Sequence, residues 1–557
     1  MTNTATTTAP DAPSRFPHWI LLGGLILALG YLPSLNTPFD FIDDGNLVYP
    51  APSGLTANDH VVRWWDKVRA NVTHLGPFRP VLWVHWEVFA NTFGGEVFTW
   101  RVSRLMWCGF AATMLLWVLR ELKINPIAAL VTAAAAMWNP YRNEIWTSLT
   151  LAEGVAMPYA MLALVAARKA AQSSQPGRWD TLAIVGFLAA LGCKNTFVAL
   201  LPAMLTLRVL GDGLSLREAW LANRWRAAIY LMPLVMPALH FVYFKLNWQP
   251  GQYETPGPSF AQLTRIALWL KGAAGLDFLG VGLLAILGAL VLNRTTRYRE
   301  IVSEYRALLV ASGCLFVAGV AVYLPMPMMA ARYTMPAVWG CDLAFALLLT
   351  TVLALPQTTS KTVALATVFI GLGVMMLTNV GRQEKFAARS RVLWNALEHL
   401  EKTAPPNARI AWIGGETAGG ALNAEEGIHF QWHLLHRGRG DIRIGLVNET
   451  GQPIPRVELP PLSGEPEYRL AMKPVPDSHW DRQQEFAATY WLGRKKFQCQ
   501  LDVTRPATPY LDPAMAGYMA NQFNKPASLS DAQLLQQLTN KQPLEGGATT
   551  AELRKKP

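Results

Sequence analysis

Residues 181–210 read TLAIVGFLAALGCKNTFVALLPAMLTLRVL, and their only charged side chains are Lys194 and Arg208. A membrane-spanning helix takes about 20 apolar residues, within a range of about 17–25. The stretch is therefore one overlong helix or two short ones that turn at Lys194-Asn195. The flanking loops decide, because Lys and Arg accumulate in cytoplasmic loops. With two spans, one side of the membrane collects Arg120 and Lys123; Arg168, Lys169 and Arg178; Arg208, Arg217, Arg224 and Arg226; and Arg294, Arg297, Arg299 and Arg306. The short loops of the other side hold only Arg142, Lys194, Lys245, Arg265, Lys271 and Arg332. With one span, the strongly basic loops would fall on alternating sides. Two spans it is, which places the N-terminus in the cytoplasm and the C-terminal region outside.

Working outward, apolar blocks recur near 18–35, 102–119, 125–138, 149–167, 227–244, 273–293, 307–324, 334–355 and 362–379. The sequence thus predicts a polytopic α-helical membrane protein of about 11 transmembrane helices, multi-pass in the cell inner (plasma) membrane. Its 557 residues are 51% hydrophobic and 16% charged, against about 25% charged in an ordinary soluble protein. That excludes a disordered or fibrous chain and an ordinary soluble enzyme. The net charge of +11 is largely a matter of topology, so nucleic acid loses its main support as a partner. Five cysteines, most within or beside apolar segments, give no disulfide framework. The first block is read as a retained anchor, since no small-residue cleavage site follows Leu35.

The expected organisation is a cytoplasmic tail over 1–17, a transmembrane domain over 18–380 with a long first extracytoplasmic loop at 36–101, an extracytoplasmic domain over 381–545, and a disordered tail at 546–557. The first loop carries Trp64, Trp65, Trp83, Trp86 and Trp100, as suits a segment lying in the headgroup layer. In the C-terminal region, 382–402 has helical spacing. The runs 409–413, 442–447, 468–472 and 497–503 read as short strands of a small α/β or β-rich domain. Ser530 and Gln533 resemble a capping box for a last helix near 531–539.

The chemistry-bearing stretch is Phe39-Asp40-Phe41-Ile42-Asp43-Asp44-Gly45-Asn46, just beyond the first span. Adjacent carboxylates at a membrane surface are costly unless they bind something or move protons. One of such a pair has a raised pKa and suits a general base. The pair is also a candidate position for a divalent cation; the bland alternative is a solvated Asp-Asp-Gly turn. Four further features fall on the same side: Pro77-Phe78-Arg79-Pro80-Val81-Leu82, Asn139-Pro140-Tyr141-Arg142-Asn143-Glu144, Lys194-Asn195, and Ala331-Arg332-Tyr333. Taken singly, these residues read better as headgroup anchors, a solvated loop carboxylate at Glu144 and a snorkelling boundary lysine at Lys194. Together they suit a reaction whose leaving group is an anionic lipid phosphate, with Arg and Lys holding the phosphate and a carboxylate activating a hydroxyl.

In this order, Phe-Ile-Asp-Asp, Phe-Arg-Pro-Val-Leu, Asn-Pro-x-x-Asn-Glu, a Lys turn before a helix with Pro202, and x-Arg-Tyr, residues 15–380 resemble the GT-C superfamily. These are membrane glycosyltransferases that use polyprenyl-phosphate sugars, the protein O-mannosyltransferases and bacterial relatives among them. The resemblance implies inverting transfer of a sugar from a polyprenyl-phosphate donor to an acceptor hydroxyl on the extracytoplasmic face, the acceptor being protein, lipid or polysaccharide. It implies Asp43 as general base, with Asp44 positioning the acceptor or a cation, and Lys194, Arg332 and Arg142 at the donor phosphate. Arg79 and Glu144 would serve the acceptor side or the loop. This sequence departs from the family in having Asn195 after Lys194 and Ala331 before Arg332. A lipid or sugar transporter or flippase, and a catalytically inactive structural subunit, remain as alternatives. Gly414-Gly415 and Gly419-Gly420 lack dinucleotide-loop spacing. His429, His433 and His436 are better explained by an amphipathic helix than by a metal.

Overall fold

The computed structural model describes residues 17–39, 41, 55–70, 72, 78–210, 216–247, 260–293, 301, 303–324, 331–413, 424–447, 468–474 and 499–504. The anticipated N-terminal tail, the last helix near 531–539 and the tail 546–557 lie outside them. Helix α1 (His18–Ala28) runs on as a 3-10 turn to Asn36. In the first loop, α2 (Ala57–Ala70) and α3 (Pro80–Phe93) follow. The bundle continues with α4 (Val97–Glu121), α5 (Pro126–Met137), the single turn α6 (Glu144–Thr147), α7 (Ala152–Gln172), α8 (Pro176–Cys193) and α9 (Leu201–Val209). Next come α10 (Leu216–Leu231), α11 (Val235–Asn247), α12 (Phe260–Ala273), α13 (Leu276–Leu292), α14 (Arg306–Tyr323), α15 (Met335–Leu353) and α16 (Thr359–Thr403).

The protein is a polytopic helical membrane protein. Every apolar block read from the sequence coincides with a helix. Among the described residues five helices are long and apolar enough to cross a membrane, six if the pair Gln262–Ala273 and Leu276–Leu292, bent by 75°, is one span. The expected eleven include shorter or less apolar helices, such as α5 and α9. Gly275, at φ +74° with its Cα facing Met375, makes the bend between α12 and α13, a conformation that costs a glycine little. α14 and α15 meet where Gly319 faces the Ala337 backbone and Gly340 faces the Ser312 carbonyl, with no room for a Cβ at either. Close backbone approach through small residues is how helices associate in lipid. Leu284, Val317 and Ile370 stand exposed on the outside of the bundle, as lipid-facing side chains do.

Side-chain pairing sorts the helix ends into two faces. On one, Arg208 at the end of α9 pairs with Asp180 near the start of α8 at 2.7 Å, and Tyr230 donates to the same carboxylate at 2.8 Å. Those contacts require the chain to reverse at Lys194-Asn195, which settles 181–210 as two antiparallel helices. Arg168 reaches the Leu210 carbonyl, Tyr305 the Lys123 carbonyl, and Lys361 the Leu353 and Leu355 carbonyls on the same face. The opposite face gathers the turns at 36–39, 139–153, 194–196, 272–277 and 331–334.

The expected domain boundary near 380 is crossed by an unbroken helix. α16 has 45 residues, about 67 Å at 1.5 Å per residue. It leaves the bundle on the second face and enters the polar domain. There β1 (Arg409–Ile413), α17 (Ala424–His436), β2 (Arg443–Val447), β3 (Tyr468–Pro474) and β4 (Cys499–Thr504) build a sheet of order β2-β1-β3-β4. β1 pairs in parallel with β2 and β3, and β4 closes the edge antiparallel to β3. The β1–α17–β2 unit is a right-sized crossover. Its core packs Leu393, Leu397 and Leu400 of α16 against Trp412, Phe430 and Ile444.

Candidate functional site

α8 stops at Cys193, where Lys194 turns extended (φ −158°, ψ 121°) before a 3-10 turn over Asn195–Leu200. The Lys194 side chain, 6% exposed, points into the bundle and bonds Glu153, which is 4% exposed in the first turn of α7. A carboxylate there also benefits from the helix dipole. Arg332, on the 3-10 turn Ala331–Thr334 ahead of α15, bonds Glu144 at the start of α6, with its Nε 4.0 Å from the Glu153 carboxylate. Tyr333 lies beneath both cations, with Lys194 Nζ 4.3 Å and the Arg332 guanidinium 5.2 Å from its ring. Tyr323 stacks on Tyr333 and donates to Thr196 at 2.8 Å. Arg79, at the N-terminus of α3, is within electrostatic range of Lys194 and Tyr323. Its Nε is buried with no hydrogen-bond partner. Among the described residues three cations thus face two carboxylates, with Lys194 and Glu153 buried and Glu144 at the exposed rim. Such a cluster is suited to an anion.

A cavity of about 800 Å³ lies beside this cluster, linked to it through neighbouring residues and not lined by the cations themselves. Phe78, next to Arg79, lines it, and so does His240, which hydrogen-bonds Asn195 at 3.0 Å beside Lys194. The two rings stack with centroids 6.1 Å apart. The rest of the wall is almost wholly apolar, including Trp65, Ile184, Leu188 and Ile229. The size is that of a small-molecule site, and its lining suits hydrocarbon.

The residues expected from sequence divide into three groups. Lys194, Arg332, Glu144 and Arg79 converge. Arg142 stands apart from them: it is 2% exposed, forks onto both oxygens of Asp342 at 2.8 Å, and donates Nε to the Ala273 carbonyl at 2.7 Å. Its donors hold the loop that carries Glu144. Asp43 and Asp44, and with them the candidate cation position, lie outside the described residues. Among the described residues no cluster of His, Cys, Asp or Glu could hold a metal ion. Glu153 was not foreseen, although an acidic residue inside the apolar run 149–167 is a signal by itself.

The segment leading to Asp43 is held at its near end. Arg101, 2% exposed, donates to the Thr37 carbonyl at 3.0 Å, to the Pro38 carbonyl at 2.5 Å and to the Thr147 carbonyl. Nearby, α2 and α3 are tied by Glu87, which takes Lys67 at 2.9 Å and Arg63 at 3.5 Å. Burial, with Arg63 alongside, lowers the Lys67 ammonium to about 8 in spite of that carboxylate.

No family model and no curated protein matches the chain. Its fold is similar to the crystal structure of the oligosaccharyltransferase from Archaeoglobus fulgidus in its apo form, with a TM-score of 0.41 and 11% identity over 78% of this chain and 65% of that one. It is also similar to the crystal structure of ArnT from Cupriavidus metallidurans bound to undecaprenyl phosphate, with a TM-score of 0.41 and 12% identity over 77% and 86% of the two chains. The chain thus spans about 65% of the archaeal protein's length. The functional reading rests on the side chains above and not on this likeness.

Proposed function

We propose that the protein transfers a sugar, with inversion, from a polyprenyl-phosphate donor to an acceptor hydroxyl at the second face, which we assign to the exterior. The observation that carries this reading is the Lys194–Arg332–Arg79 cluster, with Lys194 buried and the two arginines half-buried, beside an apolar cavity. Hydrocarbon and phosphate are covalently joined in a polyprenyl phosphate, and these two environments adjoin in the same way. The leaving phosphate gains negative charge as the glycosidic bond breaks. Fixed cations in a water-poor site stabilise that charge more in the transition state than in the ground state. Asp43 takes the proton from the acceptor hydroxyl, and Asp44 orients the acceptor. Nucleotide sugars are multiply charged and stay in the cytoplasm, so chemistry on the outer side calls for a donor delivered by the membrane.

The experiment is direct. Purified protein should bind undecaprenyl phosphate, and Lys194→Ala and Arg332→Ala should weaken that binding at least tenfold. In the host, Asp43→Asn with Asp44→Asn should abolish the protein's contribution to envelope glycosylation. Undiminished function in the double variant would remove the enzyme reading. The 75° break between α12 and α13 favours a second reading, a flippase, since broken helices build transporter sites. Movement of a fluorescent polyprenyl phosphate across proteoliposome membranes would support that one.

A further inference from the structure

The apolar run 227–244 carries one imidazole, His240, and α11 sets it on the cavity wall beside Met236 and Leu239. A hydrocarbon chain has no use for an imidazole, and a polar group placed in an apolar wall is costly unless it is paired. This ring is held from two sides. Asn195 donates through Nδ2 to His240 Nδ1 at 3.0 Å, which leaves the imidazole proton on Nε2. Phe78 stacks on the ring, with the two planes 21° apart. Each clamp is the chain neighbour of a cluster cation, since Asn195 follows Lys194 and Phe78 precedes Arg79. His240 therefore stands where the cations end and the hydrocarbon wall begins. Among the described residues that line the wall, the other titratable one is Arg69, which belongs to α2 and is exposed.

We propose that His240 is a donor-specificity residue that hydrogen-bonds the lipid phosphate between the cation cluster and the cavity, with Asn195 as its positioning residue. This rests on the reading of a polyprenyl-phosphate donor and deepens it. Ligand pockets are mostly apolar and take their specificity from a few placed polar groups. The apolar wall accepts the chain of a polyprenol and of its phosphate ester alike, so it does not tell them apart. Lys194 and Arg332 attract an anion but are already engaged with Glu153 and Glu144. The Nε2–H adds a directed donor at one fixed place, and a hydrogen bond to a charged oxygen is about twice as strong as one between neutral groups. The imidazole is thus worth most to a lipid whose hydrocarbon ends in an anionic phosphate, and least to the alcohol. Asn195 decides which ring nitrogen carries the proton. Without it the proton would be shared between Nδ1 and Nε2, and the ring would be free to turn.

The test compares binding of undecaprenyl phosphate and of undecaprenol by the full-length protein in nanodiscs. The parent should prefer the phosphate by at least about thirtyfold. His240→Phe keeps the stack on Phe78 and the apolar wall but has no N–H. It should lose about tenfold in affinity for the phosphate and stay within about twofold for the alcohol. His240→Gln, which brings an amide N–H to a similar reach, should return to within about threefold of the parent. Asn195→Ala should weaken phosphate binding about threefold in the parent and change nothing in the His240→Phe background, a coupling that a merely structural role would not produce. Should His240→Phe not fold, His240→Leu takes its place with the same expected outcome. Unchanged phosphate affinity in the folded variant overturns the proposal, and so does an equal loss for both lipids, which would make His240 a piece of the hydrocarbon wall. A parent without preference for the phosphate sinks the donor reading, and this proposal with it. A preference that is removed by Lys194→Met/Glu153→Gln and kept by His240→Phe sinks the role of His240 alone.

Discussion

Glu153 sits between Lys194 and Arg332, and its burial decides what each substitution means. Removing one partner of a buried pair strands the other, at a cost of about 3–5 kcal/mol, whereas replacing both with neutral groups of similar volume is about neutral. Lys194→Ala alone therefore mixes a folding defect with a binding defect. The double variant Lys194→Met/Glu153→Gln should melt within a few degrees of the parent and lose at least tenfold in affinity for undecaprenyl phosphate. A double variant that binds normally would free Lys194 of any phosphate role. Arg142 gives the contrary expectation. Because its guanidinium is spent on Asp342 and the Ala273 carbonyl, Arg142→Met should lower stability by about 3–5 kcal/mol and leave lipid affinity within threefold in the protein that folds. Calorimetry and a binding isotherm on the same sample separate the two. At this scale the sequence was half legible. Lys194, Arg332, Arg79 and Glu144 stood out as charges at apolar boundaries. The division of labour between Arg142 and Arg332 depended on which carboxylate each would meet, and those partners lie far off in the chain.

Elements were read best where periodicity is local and worst where their ends depend on the rest of the molecule. The runs at 409–413, 442–447, 468–472 and 497–503 became β1 to β4 within a few residues because alternation and bounding turns are short-range signals. The segment 382–402 was seen as helical, but the fall in hydropathy near 380 read as a boundary. Without Pro or Gly to break it after Gly381, α16 continues, and composition changes while backbone geometry does not. On α17, His433 and His436 resembled one polar face of a helix; in the fold His433 is buried against Phe39 and Phe41. His436 offers a test of that packing. Burial, then the charges of Arg63 and Lys67 on α2, pull its imidazole down to about 4. Between its ordinary value near 6.5 and about 4, the unfolded chain binds a proton that the folded one does not. Acidification through that window destabilises the fold, by at most about 3 kcal/mol once below pH 4. His436→Asn should flatten this part of the stability profile, measured by thermal unfolding at pH 7.5 and pH 4.5. Parallel losses in parent and variant would place the titrating group elsewhere.

On the scale of the whole molecule, the two faces are defined by contacts and the direction of the membrane by charge. Asp180, Arg168, Arg208, Lys123 and Lys361 meet on one face, and Glu153, Lys194, Arg332 and the Arg101 clasp on the other. The first is where Arg and Lys crowd into short loops, and such loops are retained in the cytoplasm. Phe41 and Trp394 place the polar domain on the second face, so domain and phosphate cluster must share a compartment whatever its identity. Single cysteines can establish that compartment once Cys314, Cys341 and Cys499 are replaced, since Cys108 and Cys193 are buried. Ser174, exposed in the turn between α7 and α8, marks the first face, and Glu96, exposed ahead of α4, marks the second. In intact cells a membrane-impermeant maleimide should label Glu96→Cys and spare Ser174→Cys, which should react only after the membrane is opened. The reverse pattern would put the acidic motif in the cytoplasm, where nucleotide sugars are abundant and a lipid-linked donor has no advantage. The argument for a polyprenyl phosphate would then lose its compartment, and the apolar cavity would need another occupant.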